Sequence, residues 1–261
     1  MQMSSPLQPN ARKQLARLDR LLQRAYGTPE ALLGNKADPL DEAVYIILSY
    51  QTDLARFGET WSRLRAAYPS WEALERAPQR QIERVLREGG LHRQKARTLK
   101  RFLASVRRAA GSLSLDMLHG LSDAPAERVL TRLPGLSWKG ARCVLLYSLG
   151  RAVFPVDGNT FRILRRLGVL RRSAIYRRRS LHDALQDAVQ PARRKALHIN
   201  LVVHGQRTCL PVTPACFRCP ARSACAMVGV SLEARKTGVA TTTPPGTRSR
   251  GTGSGATNPR E

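Results

Sequence analysis

The chain has 261 residues, a formal net charge of +25 and 42% hydrophobic residues. That length can bury a sizeable core, no apolar run reaches the roughly 20 residues of a membrane span, and the opening MQMSSPLQPNARKQL lacks the apolar centre of a secretory leader. A membrane role is therefore not expected; the expectation is a cytoplasmic protein with a polyanionic partner, nucleic acid first among them.

In chain order, the first element is PLDEAVYIILSYQ (39–51), whose apolar residues recur at helical spacing behind Asp38 and Asp41, either of which can cap its start. WSRLRAAY (61–68), APQRQIERVLREG (77–89) and LHRQKARTLKRFLASVRRAAG (91–111) read as helices parted by Pro69, Pro78 and Gly89-Gly90. Further helices fit 124–132, 139–149, 160–167, 179–189 and 193–204. No segment sustains a period of two, so the fold class is all-α. From about 237 the composition collapses to TGVATTTPPGTRSRGTGSGATNPRE, which is expected to be disordered.

Between 133 and 159 runs LPGLSWKGARCVLLYSLGRAVFPVDGN. LPGLS is a tight break between two helices, and Gly135 can take the positive φ such a hairpin needs. The second helix then offers free backbone N–H groups at its start, a place for a phosphate oxygen. The pattern reads as a helix–hairpin–helix, a clamp on the DNA backbone without base preference.

Lys139 lies in the first turn of that second helix, where the helix end disfavours a cation. Only seven of the 44 basic residues are lysine. Lysine, unlike arginine, can lose its proton and act as a nucleophile. The helix end, nearby arginines and partial burial are expected to lower its pKa. On this residue alone, a solvated or phosphate-bound lysine stays open. Asp157, in FPVDGNTFRILRRLG, is either a helix N-cap or a carboxylate that steadies a cationic sugar transition state, or both.

Cys209, Cys216, Cys219 and Cys225 form C-x6-C-x2-C-x5-C within 17 residues. In a chain expected to stay in the cytosol this argues for a metal centre over disulfides. One C-x2-C knuckle in a compact loop suits a [4Fe–4S] cluster, with zinc as the alternative. Cys143, alone in ARCVLLY, is expected to be a small buried apolar residue.

These features, in this order, resemble the endonuclease III family of helix–hairpin–helix DNA glycosylases with an iron–sulfur loop. The resemblance covers roughly residues 35–225, through ILSYQTD, GLHRQKA, LPGLSWKGA, PVDGNTFRILRRLG and HGQRTCLPVTPACFRCPARSAC. It implies a two-lobed all-α fold: a six-helix barrel over 35–151, an iron–sulfur cluster domain from 1–34 and 152–235, and the tail 236–261. It implies that Lys139 attacks C1′ of the damaged nucleoside with help from Asp157, and that β-elimination then cuts the strand. It further implies that Gln51 fills the gap left by the extruded base, that Leu91 wedges opposite, and that Leu133, Gly135 and Ser137 of the hairpin meet the DNA. The four cysteines would hold the cluster.

The implied function is a bifunctional DNA glycosylase with AP-lyase activity in base excision repair, acting on oxidised pyrimidines in double-stranded DNA or on abasic sites, as a monomer, nucleoid-associated if the source is a bacterium. Three departures bear on that expectation. Ser137 stands where the hairpin's second glycine would be, and is expected to alter the tight turn. LPVTPA, between Cys209 and Cys216, lacks the basic residues of relatives, leaving backbone contact to Arg207, Arg218, Arg222 or residues elsewhere. Asp-Gly-Asn at 157–159 is similar to the adenine-mismatch glycosylases, and the stretch from GLHRQKA to RRLGVL to the plant 5-methylcytosine glycosylases. Mismatched thymine or adenine, a methylated base, and a non-catalytic iron–sulfur DNA-binding protein therefore stay open.

Overall fold

The computed structural model describes residues 5–52 and 54–230, and among these it contains helices and turns but no β-strand. The helices are α1 (Ala11–Tyr26), α2 (Pro39–Ser49), α3 (Leu54–Ala67), α4 (Trp71–Arg76), α5 (Gln79–Val85), α6 (His92–Ala110), α7 (Asp123–Arg132), α8 (Trp138–Tyr147), α9 (Gly158–Leu167), α10 (Arg179–Ala188) and α11 (Arg194–Arg207). The all-α expectation holds. The disordered tail expected over 236–261 lies outside the described residues.

Local chemistry accounts for the helix starts that matter most. Asp38, not Asp41, caps α2: its Oδ1 accepts from the Asp41 amide at 2.8 Å, and Pro39 opens the first turn. Pattern reading missed two helices. In α1, Ala11, Leu15, Leu18 and Leu22 are buried and form one helical stripe, so its signal was present in the sequence. The six-residue α4 is short and leans on a Ser70 cap whose Oγ accepts from Ala73 at 3.2 Å.

Two apolar cores form, and the chain changes from one to the other between Val153 and Phe154. The first gathers residues from Leu40 to Val153 around α2, whose residues Leu40 and Ala43–Leu48 are all buried. The second gathers Leu7 to Leu22 with Phe154 to Ala221. There α11, buried along Leu197–Gly205, packs against α1 and α9. α2 and α11, buried along most of their length, take the central places in the two lobes.

Arg142 joins the lobes. Its guanidinium, on α8, is 1% exposed and donates to Glu127 on α7 at 2.7 Å, to the His182 carbonyl at 2.7 Å and to Asp183 on α10. All of its nitrogens thus find acceptors, which is the condition under which a buried charge is tolerated.

Candidate active site

The hairpin between α7 and α8 positions the lysine. Gly135 has φ 92°, and a Cβ there would lie 2.4 Å from Thr98 Cγ2, so conformation and space both require glycine. Ser137 has φ −96° and ψ 176°, extended backbone open to any residue. Its Oγ accepts from the Gly140 amide at 3.3 Å and meets the Tyr50 hydroxyl at 3.4 Å. The expected disturbance of the turn by Ser137 is thus absent: the serine is the N-cap of α8. Gly135 and Ser137 are exposed, whereas the Leu133 side chain is buried in the first core, which leaves only its main chain to face a ligand.

Lys139, in the first turn of α8, opens onto a cavity of about 400 Å³. Cys143 one turn further on, Asp157 before α9, and Tyr50 and Gln51 after α2 line the same cavity, with Tyr176 and His198 beside them. The Lys139 Nζ lies 6.0 Å from the centre of the Tyr50 ring. The fold therefore brings Lys139, Asp157 and Gln51 together from three separate segments. Leu91 stands apart from the cavity, 44% exposed in the left-handed conformation at the start of α6 (φ 48°), a backbone state that Gln51 shares (φ 54°).

The electrostatics of the amine differ from expectation. Burial works to lower the Lys139 pKa, but the Cys143 sulfur, the Tyr50 oxygen, the Asp157 carboxylate and the Tyr176 oxygen outweigh it, and the group sits above the ordinary lysine value. Burial itself pushes the Cys143 thiol and the Tyr176 hydroxyl up to about 12, so both are neutral at pH 7. Asp157 faces the amine as an anion, and the resting lysine is an ammonium. The expected lowering overlooked that carboxylate. Cys143 is buried as expected, and it lines the same cavity as Lys139.

Asp157 is the helix N-cap that the sequence offered, and it stays charged beside the amine. Its Oδ1 accepts from the Thr160 amide at 2.7 Å and caps α9, while Oδ2 accepts from Asn159 Nδ2 at 3.1 Å. Burial alone would raise its pKa; His198, the Thr160 hydrogen bond and Lys139 together hold it below the usual value, so it is ionised at pH 7. Burial pushes His198 down to about 4, neutral at pH 7. Sequence reading also missed Glu42, fully buried on α2 and pushed up to about 7 by burial, although Asn35 Nδ2 at 2.6 Å and the Lys36 amide at 2.7 Å donate to it.

Cys209, Cys216, Cys219 and Cys225 line one small cavity of about 30 Å³ against the second core. Burial raises the Cys219 and Cys225 pKa values, and the other cysteines of the group raise them further. Arg166 donates to Cys209 Sγ at 3.3 Å and the Met227 amide to Cys225 Sγ at 3.4 Å. Among the described residues no group of three or more His, Cys, Asp or Glu is arranged to hold a single metal ion. Four cysteines lining one cavity are a donor set that suits a thiolate-bound centre. Arg207, Arg218 and Arg222 are exposed around this loop, as are Val212 and Phe217 within it.

Comparison with known proteins gives the family and the fold. A family model described as HhH-GPD superfamily base excision DNA repair protein matches residues 44–187. An Arabidopsis thaliana protein whose name marks it provisionally as a DNA glycosylase is 30% identical over 167 residues, 64% of this chain and 56% of its own length. The transcriptional activator DEMETER of the same plant is 28% identical over 170 residues, 59% of this chain but 9% of that protein. Endonuclease III of Bacillus subtilis is 24% identical over 191 residues, 72% of this chain and 81% of the relative. In fold, a non-covalent endonuclease III–DNA complex superposes with a TM-score of 0.72 at 20% identity, over 83% of this chain and 95% of the other. The chain thus spans about half the length of the first relative and a small part of the second.

Proposed function

Since the chain belongs to the HhH-GPD superfamily of base excision DNA repair proteins, we propose that it is a bifunctional DNA glycosylase with AP-lyase activity, acting on oxidised pyrimidines in duplex DNA. The observation that carries this reading is the placement of Lys139 and Asp157 on the wall of one 400 Å³ cavity, at the end of a hairpin and within reach of solvent. A base and its C1′ cannot be worked on inside the stack, so the nucleotide has to be turned out into such a cavity. Gln51 at the cavity and Leu91 on the neighbouring loop are the side chains assigned to the vacated stack, and the exposed hairpin at Gly135 and Ser137 to the phosphates.

The Lys139 amine gives up a proton and attacks C1′. The bond from C1′ to the base breaks as the new C1′–N bond forms, and the base leaves with a proton. Asp157, ionised and facing the amine, steadies the cationic sugar and the ammonium in turn. After loss of the second amine proton, the nitrogen lone pair forms a C1′=N bond as the C1′–O4′ bond breaks. O4′ takes up a proton and the ring opens to a protonated imine. Removal of a C2′ proton then expels the 3′ phosphate and cuts the strand.

Cys209, Cys216, Cys219 and Cys225 are proposed to hold a [4Fe–4S] cluster, which when bound supplies a structural centre that orders the loop from 209 to 225. Arg207, Arg218 and Arg222 surround that loop and are assigned to the DNA backbone.

A second reading, removal of a methylated base, is supported by the resemblance of the stretch from GLHRQKA to RRLGVL to the plant 5-methylcytosine glycosylases. Single-turnover excision on duplexes carrying an oxidised pyrimidine, 5-methylcytosine, mispaired thymine or mispaired adenine separates these readings. The primary reading requires the oxidised pyrimidine to be released fastest; preference for 5-methylcytosine establishes the second.

A further inference from the structure

Two described residues on separate loops, Gln51 and Leu91, hold left-handed backbone although neither is glycine, with φ 54° and 48°. Such conformations are unfavourable for a residue with a Cβ, so the surroundings must enforce them. Both side chains are exposed, Leu91 at 44%, so packing of the side chains is not what does so.

The enforcing contact lies beneath them. Lys95, in the first turn of α6, is 4% exposed. Its Nζ donates to Thr52 Oγ1, on the residue after Gln51, and to the Gly89 carbonyl at 2.8 Å, two residues before Leu91. The Thr52 hydroxyl itself reaches the same Gly89 carbonyl at 2.9 Å, and the Lys95 amide donates to the Leu91 carbonyl at 2.9 Å. One ammonium, one hydroxyl and one carbonyl thus fasten the two loops to each other. Among the described residues no carboxylate pairs with Lys95, and burial lowers its pKa. A buried cation without a counter-ion weakens a fold; a methionine would fill the same volume without that cost. The lysine is explained by what its donors hold.

We propose that Lys95 is a positioning residue that buckles the Gln51 loop to the Leu91 loop, so that both side chains enter a DNA duplex at a fixed separation when a nucleotide is turned out. This rests on the glycosylase reading above. Lys95 does not line the cavity; it acts through the two loops.

The test compares Lys95→Met with the wild-type full-length protein in two assays. The first follows base extrusion by the fluorescence of 2-aminopurine beside an oxidised pyrimidine in a duplex, together with single-turnover release of that base. The second is borohydride trapping on a single-stranded abasic oligonucleotide, where no stacked base has to be displaced. Misplaced loops are expected to slow extrusion and duplex excision by about 10-fold or more, and trapping on the single strand by a clearly smaller factor. Thr52→Val removes the bridging hydroxyl without touching the charge and is expected to reproduce the same split, which keeps the test decisive if Lys95→Met fails to fold. Equal losses in the two assays, or none in either, overturn the inference while leaving the glycosylase reading intact. A wild-type protein that neither extrudes nor traps overturns both.

Discussion

Asp157 Oδ1 accepts from the Thr160 amide at 2.7 Å while the same carboxylate faces the Lys139 ammonium across the cavity. One side chain therefore starts a helix and supplies the charge beside the proposed nucleophile. Asparagine caps helices as well as aspartate does, so Asp157→Asn removes the charge and keeps the start of α9. Base release should fall by about 10²-fold or more, while the dissociation constant for undamaged duplex changes little. Single-turnover excision and equilibrium binding on the same preparation check this; equal losses in both would reduce Asp157 to a helix cap.

The link between the lobes makes a stability prediction. Arg142→Met leaves Glu127 and Asp183 without their buried partner, and unfolding in urea should show a loss of about 3–5 kcal/mol. A loss below about 1 kcal/mol, the range of surface pairs, would show that the bridge does not hold the lobes.

Glu42 predicts a pH dependence. Its folded pKa is raised from 4.5 to about 7 by burial. Between those values the unfolded chain has released a proton that the folded chain keeps, so the fold weakens as pH rises through 4.5–7, by on the order of 3 kcal/mol in full. Below 4.5 the group is protonated in both states and contributes no slope. Glu42→Gln should remove this component: its stability relative to wild type should climb from pH 5 to pH 8 and then level off. Denaturant midpoints that keep a constant offset across that range would contradict the assignment.

The protein prepared without chelator should be brown and carry about four iron and four sulfide per chain. Cys219→Ser should lose most of the iron. Bound zinc in a colourless wild-type protein would replace the cluster with the alternative metal.

How much of this was legible in the sequence depends on how local each signal is. Lys139 and Asp157 stood out because their residue types conflict with their positions or mark a helix start, and both conditions involve neighbours within a few residues. The cysteine spacing is equally local. Arg142 looked like one more arginine on a helix, because its acceptors at 182 and 183 lie forty residues away and only packing brings them in. Lys95 and Glu42 escaped for the same reason: their meaning is burial, which the one-dimensional pattern of α6 and α2 does not reveal. Ser137 misled in the opposite direction, since a departure from glycine matters only at positive φ and that position is extended. The α1 stripe, by contrast, was readable and went unread.

The central claim is that the Lys139 amine forms a covalent bond with a deoxyribose C1′. Borohydride trapping on an abasic duplex tests it most directly, with wild type and Lys139→Gln side by side and duplex binding measured for both. Wild type should give a protein–DNA adduct, and Lys139→Gln should lose the adduct while still binding the duplex. An adduct that persists in Lys139→Gln, or a wild-type protein that binds the abasic duplex and traps nothing, would contradict it.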